Sequence, residues 1–176
     1  MHMRPVVISL ALAALLVVMS AQFPAVAATP LAIECRMSMP ARVQNPASIP
    51  LTFELINKTK NTLNILNRDT PFEGFYGQYF EITGPDGTAV DYRGRVVKRA
   101  STPAREEYVS IKKGDKLAVT VNLAPAYDFK VKGRHELMFT GKLFDATKEK
   151  IPRSFDQQTS MEIACPPVKF DLPASK

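Results

Sequence analysis

Tryptophan is absent from the 176-residue chain, and cysteine and histidine occur only twice each. Two cysteines are too few for a multi-cysteine zinc module or a dense disulfide scaffold, and two histidines exclude a histidine-rich metal site. The chain also lacks an H-E-x-x-H motif, a G-x-S-x-G motif and a glycine-rich phosphate loop, which are signatures of common enzymes. We therefore predict that the protein is not an enzyme and holds no metal or other cofactor.

The charged residues are numerous but scattered. Hydrophobic residues make up 45% and charged residues 23% of the chain, with a net charge of +6, a balance typical of one ordinary globular domain. The basic residues occur in pairs, such as Lys112-Lys113, with acidic and aromatic residues between them. Because nucleic-acid binding requires a concentrated basic stripe, we expect no nucleic-acid partner and interpret the charge as aiding solubility or steering toward an acidic partner.

A secretory signal peptide is predicted over residues 1–28. A short basic start precedes the apolar run 6–19, which has the length of a signal-peptide core and is short for a membrane span. Small residues at Ala25 and Ala27 provide a cleavage site. We expect residues 29–176 to form a single exported domain, periplasmic or extracellular, with no stable membrane insertion. An uncleaved N-terminal anchor is the alternative.

Export favours a disulfide between Cys35 and Cys165, because exported proteins fold in an oxidising compartment. The two residues lie near the two ends of the predicted domain, so the bond would join both ends. A nucleophilic thiol is the alternative and would need a histidine base. No local cysteine-protease signature surrounds either cysteine, and we predict a structural bridge.

Sulfur-containing residues alternate along one predicted strand at Cys35, Met37 and Met39. Thiolate and thioether ligands suit Cu(I). The same spacing is typical of a core strand, and Met161 and Cys165 repeat it near the C-terminus. We therefore predict that these side chains fill the core.

Apolar residues recur with a period of two along most of residues 29–176, which predicts β-strands. The clearest alternation covers 117–123, and turn signals such as 84–87 and 112–115 separate the strands. Eight or nine short strands at this spacing, among them extended pieces over 95–98 and 160–165, favour an all-β antiparallel sandwich.

The segment after Leu123 makes the predicted sandwich immunoglobulin-like. Tyr127 follows within four residues and Gly133 precedes the next strand, as at a corner where a tyrosine packs under the crossover between sheets. We expect Tyr127 to anchor this corner through ring packing and a hydroxyl hydrogen bond. His135 is expected to be a strand residue near an edge, with a metal or catalytic role as the alternative.

Several separated motifs resemble one known family. In chain order they are LNRDTPFEG (66–74), YFEIT (79–83), VDYRGRVVKR (90–99), EYV (107–109) and AYD (126–128) ahead of Gly133. Together they resemble the N-terminal pro-region of deuterolysin-type (aspzincin) zinc metallopeptidases, especially the peptidyl-Lys endopeptidases. In that family the pro-region precedes a catalytic domain with H-E-x-x-H and a downstream aspartate zinc ligand, and this sequence contains no counterpart of either.

The resemblance implies a non-enzymatic protein that binds an exported metallopeptidase in trans, as an inhibitor or a folding assistant. The alternative is a general periplasmic or extracellular protein-binding module or adaptor with no protease target. Rigid sheets would hold the binding loops of either kind of protein. The two hypotheses are distinguished by whether the protein slows peptide hydrolysis by a deuterolysin-type peptidase.

The predicted contact surface is the loop 67–78. Asp69 or Glu73 would approach the peptidase zinc, whereas the loop aromatics either anchor an interface or cap the core. Lys98 and Arg99 form a candidate basic contact for a specificity pocket, or a solvated strand edge. The candidate loop residues are Arg68, Asp69, Thr70, Pro71, Phe72, Glu73, Phe75 and Tyr76.

Overall fold

The computed structural model describes residues 32–173, so the predicted signal peptide lies outside the described part of the chain. The described residues form eleven β-strands and three single-turn 3₁₀ helices, at Pro71–Glu73, Arg105–Glu107 and Phe155–Gln157. The strands are β1 Ile33–Ser38, β2 Pro50–Asn57, β3 Leu63–Leu66, β4 Phe80–Thr83, β5 Tyr108–Ile111, β6 Lys116–Asn122, β7 Gly133–Phe139, β8 Lys142–Leu143, β9 Ala146–Thr147, β10 Met161–Glu162 and β11 Val168–Leu172.

Two three-stranded sheets face each other across one core. The first has the order β1-β2-β6 and the second β11-β7-β4, and every strand pair in them is antiparallel. Phe53 of β2 and Phe139 of β7 meet between the sheets, with ring centroids 5.0 Å apart. In chain order these strands correspond to the A-B-E and C-F-G strands of an immunoglobulin-like sandwich. The predicted all-β antiparallel sandwich is confirmed.

The period of two explains which side chains enter the core. Leu51, Phe53 and Leu55 of β2 are fully buried, because alternate residues of a strand point to the same face. Phe80 and Ile82 of β4 are likewise buried, and they enter the core from the opposite sheet. A third three-stranded sheet of shorter strands, β5-β3-β9, and the two-stranded sheet β10-β8 complete the described fold.

The strand pattern near the C-terminus differs from the sequence-based expectation. The strand expected over 160–165 has only two residues, in β10, and a further strand follows as β11. Pro166 and Pro167 lie between them. Proline lacks the N–H that a strand ladder needs, so β-pairing resumes only after these two residues.

The disulfide forms between Cys35 in β1 and Cys165 in the segment between β10 and β11, with their Cα atoms 4.8 Å apart. It ties the first strand to the chain leading into the last one. Met37 is buried in the core, and Met39 and Met161 pack against it. Within residues 32–173, no group of three or more histidine, cysteine, aspartate or glutamate residues is placed to hold a metal ion.

Tyr127 lies at the corner between β6 and β7, almost fully buried. Its hydroxyl donates to the Phe80 carbonyl at 2.9 Å, and its ring meets that of Tyr92 edge-on at 5.2 Å. Gly133 begins β7 with φ at +115°, a conformation that favours glycine. His135 is buried, with Nδ1 2.9 Å from the Gly133 carbonyl. The structure thus gives Tyr127 and Gly133 structural positions at one corner.

Replacing both cysteines by serine (C35S/C165S) should lower the free energy of unfolding by about 4–5 kcal/mol, because the bond closes a loop of 130 residues in the unfolded chain. Urea denaturation of the variant and of the oxidised protein measures the difference. The disulfide is verified if mass spectrometry detects alkylated cysteines only after the protein has been reduced. Equal unfolding midpoints with and without reductant would contradict the prediction.

Tyr127→Phe should destabilise the protein by about 1–3 kcal/mol, because the buried Phe80 carbonyl loses its donor. Tyr92→Phe is the matched control, since the Tyr92 hydroxyl bonds to the Arg95 carbonyl at an exposed position. We expect the control to change stability by less than about 0.5 kcal/mol. Equal effects of the two substitutions in thermal unfolding would show that the Tyr127 hydroxyl does not anchor the corner.

Candidate functional site

The loop 67–78 is fixed by its own polar groups. Thr70 Oγ1 donates to the Asn67 carbonyl at 2.6 Å and accepts the Phe72 N–H, which caps the turn Pro71–Glu73. Asp69 has a positive φ of 53°, uncommon for a residue other than glycine, and its N–H donates to Glu73 Oε1 at 2.7 Å. The loop therefore has one defined conformation in which Thr70 and Pro71 are buried.

Two of the three loop aromatics pack into the core. The Phe72 ring meets Phe53 edge-on at 5.5 Å, and the Phe75 ring stacks on Tyr79 at 5.7 Å. Tyr76 differs, because 39% of its surface is exposed. Of the two roles considered from the sequence, capping the core describes Phe72 and Phe75, and only Tyr76 remains available as an anchor.

A second loop, residues 93–101, lies against the first. The Val97 N–H donates to the Tyr76 carbonyl at 3.2 Å. The Arg99 guanidinium lies 5.9 Å above the Tyr76 ring. We call the segments 67–78 and 93–101 the loop pair. The extended piece expected over 95–98 forms no strand, since its backbone bonds to this neighbouring loop.

Arg68 fastens the loop pair to the chain that leads into β5. Its Nε and Nη2 donate to the two Glu107 carboxylate oxygens, each at 2.8 Å, and its Nη1 donates to the Ala100 carbonyl at 2.7 Å. The Arg68 hydrogen bonds hold the pKa of Glu107 below its ordinary value. Arg68 is buried, so this candidate contact residue is engaged inside the protein.

Glu73 and Arg99, two separate candidates from the sequence, form an ion pair with each other. Only 7% of the Glu73 side chain is exposed. Burial raises the pKa of Glu73, while the Asp69 N–H and Arg99 act in the opposite direction. Contact of Glu73 with a metal on another protein would require this pair to open. Lys98, by contrast, is exposed.

The exposed apolar side chains concentrate around the loop pair. Tyr76 and Val96 belong to it, and Val96 is 81% exposed. Phe144 and Phe155 line a cavity of about 310 Å³ together with Arg99 and other residues of the loop pair. Four of the six exposed large apolar side chains among residues 32–173 thus lie on or beside it; the six are Tyr76, Val96, Val131, Met138, Phe144 and Phe155.

A buried carboxylate positions the segment that carries Phe155. Asp145 is fully buried and accepts hydrogen bonds from the Tyr108 hydroxyl at 3.0 Å, Arg153 Nη1 at 3.1 Å and the Thr159 N–H at 3.2 Å. Sequence reasoning missed Val96, Phe144 and Phe155. For Phe155 a signal exists, because it is an aromatic residue in the polar run 153–160.

Comparisons with known proteins assign no family. No protein-family model matches the chain, and no curated protein matches it. Among solved structures, the X-ray structure of Northeast Structural Genomics Consortium target SoR45 matches with a TM-score of 0.48 and 12% sequence identity, over 83% of this chain and 91% of that one. No helix in the described part of this chain has the length and hydropathy needed to cross a membrane.

Glu107→Gln should destabilise the protein most near neutral pH. Because the pKa of Glu107 is lowered in the folded state, its contribution is present above the unfolded-state pKa and is lost as the pH falls through the folded-state pKa. We expect the difference in unfolding free energy between wild type and variant to shrink below about pH 4. Urea denaturation at a series of pH values measures this difference in unfolding free energy. Glu106→Gln, at the exposed neighbouring position, is the control and should show no such trend.

Proposed function

We propose that this protein is a non-enzymatic binding protein for an exported zinc metallopeptidase, acting through the loop pair as a pro-region-like inhibitor or folding assistant. The observation that supports the proposal is the concentration of exposed apolar side chains on and beside the loop pair. Exposed apolar clusters of this kind mark interaction sites on monomeric proteins.

The rigidity of the loop pair favours tight binding. Its backbone is held by the ion pairs Arg68–Glu107 and Glu73–Arg99 and by two aromatic rings in the core. A loop fixed before binding loses little conformational entropy on association. Inhibitors of proteases commonly bind with little backbone movement for the same reason.

Two of the motifs that resemble the pro-region lie in the loop pair, which supports the proposal. The motifs at 66–74 and 90–99 are distant in sequence, and they supply most of the two segments of the loop pair. In this proposal Tyr76, Val96 and Lys98 contact the peptidase. The remaining charged candidates act as positioning residues. Arg68 bonds to Glu107, and Glu73 pairs with Arg99 and accepts the Asp69 N–H.

The proposal predicts that the protein slows peptide hydrolysis by a deuterolysin-type peptidase, and that Val96→Asp weakens the inhibition constant at least about tenfold. An aspartate at this exposed position would place a charge in an apolar contact. Val131→Asp is the matched control, since Val131 is exposed but outside the loop pair, and it should inhibit like wild type. Initial rates of peptide hydrolysis at increasing concentrations of each variant give the two inhibition constants.

Binding without inhibition, seen as a complex on gel filtration, would indicate the folding-assistant role, and faster recovery of the unfolded peptidase would test it directly. Absence of both slowing and complex formation at excess protein overturns the proposal and leaves the general binding module. Equal weakening by Val96→Asp and Val131→Asp would place the contact surface elsewhere.

A further inference from the structure

The fold gathers three lysine-bearing turns at one end of the sandwich. They are the β2–β3 turn, the β5–β6 turn and the segment after β9. In the sequence these lysines are dispersed over nearly a hundred positions. We call the group the lysine pole; its members are Lys58, Lys60, Lys112, Lys113, Lys148 and Lys150.

Asn57 joins the first two turns. Its side chain is buried, and Nδ2 donates to the carbonyls of Asn61 at 2.7 Å and Ile111 at 2.9 Å. Its own N–H donates to the Asp115 carbonyl, and its carbonyl accepts the Gly114 N–H. The β2–β3 and β5–β6 turns are therefore held side by side.

Strand register brings the third turn to the same end. On β3, Leu63 lies opposite Ile111 of β5 and Asn64 lies opposite Thr147 of β9. Asn64 Nδ2 also donates to the Glu149 carbonyl at 3.3 Å. Residues 148–150 consequently continue past the end of β9 toward the other two turns.

The lysine pole carries a net positive charge. All six lysines are exposed. Lys58 pairs with Glu34 at 2.8 Å, and the other five form no salt bridge with the described residues. Glu34, Asp115 and Glu149 are the nearby carboxylates on these turns and on the start of β1, so three positive charges remain in excess.

The chain enters the domain at this end. The Ala32 carbonyl, at the start of the described residues, accepts the Lys58 N–H at 2.9 Å. In the sequence, only residues 20–31 separate this point from the apolar run 6–19. Before signal cleavage, or in the uncleaved alternative, a membrane that holds the apolar run would thus lie no more than twelve residues along the chain from the lysine pole.

We propose that the lysine pole docks on a membrane surface that carries anionic headgroups. Lysine ammonium groups are compact, hydrated point charges, and clusters of them beside a membrane attract anionic lipid. None of the six exposed large apolar side chains of residues 32–173 belongs to these turns, so the contact is electrostatic and superficial. The loop pair begins at the far end of β3, and the inference does not depend on the proposed peptidase partner.

Vesicle co-sedimentation tests the proposal with the chain from Thr29 onward, which contains every described strand and the disulfide. The protein should bind vesicles of phosphatidylcholine with phosphatidylglycerol and not vesicles of phosphatidylcholine alone. Binding should weaken between about 10 mM and about 150 mM salt, because the Debye length shortens. Absence of binding to the anionic vesicles at low salt overturns the proposal.

Charge-reversal variants locate the contact. Lys112→Glu with Lys113→Glu should lower the vesicle partition coefficient at least about tenfold. Lys132→Glu with Arg134→Glu is the matched control, because both residues are exposed at the opposite end of β6 and β7, and it should change partition less than about threefold. Circular dichroism verifies that both variants fold. Equal losses in the two double variants, or preferential binding of the pole to a soluble acidic protein over the vesicles, would overturn the inference.

Discussion

The packing of Phe72 and Phe75 against the core is the constraint on which the candidate site depends. These two rings attach the backbone from Asn67 to Gln78 to the core at two points. Asp69 takes its left-handed conformation in this frame and directs its N–H at Glu73, which in turn holds Arg99. Two aromatic contacts thus determine where the charged groups of Glu73 and Arg99 and the exposed Tyr76 lie.

The ion pairs of the candidate site fix the positions of the loop side chains more than they raise the free energy of unfolding. Arg68 and Glu107 bond through two parallel contacts, a geometry that fixes direction as well as distance. The partly buried Glu73 gains a partner in Arg99 and so avoids an unpaired buried charge. Because these charges neutralise each other, the exposed groups of the loop pair are the apolar side chains of Tyr76 and Val96 together with basic side chains such as Lys98.

The sequence predicts local features well and long-range pairings poorly. The period of two gives β2, β6 and β7, because strand faces follow from side-chain alternation alone. Tyr127 is recognisable from its distance to the next strand. Arg68 and Glu107 are 39 positions apart, and no periodicity relates them. The lysine pole is invisible for the same reason, since strand register and the bonds of Asn57 create it.

Asn57, Lys58 and Thr59 spell the acceptor sequence for N-linked glycosylation. A carbohydrate on this asparagine would replace one of the two amide hydrogens that donate to the Asn61 and Ile111 carbonyls. The Asn57 side chain is also fully buried, which leaves no room for a sugar in the folded domain. Folding and glycan attachment therefore exclude each other at Asn57. If a host cell glycosylated the nascent chain at this residue, the β2–β3 and β5–β6 turns would lose the hydrogen bonds that hold them together.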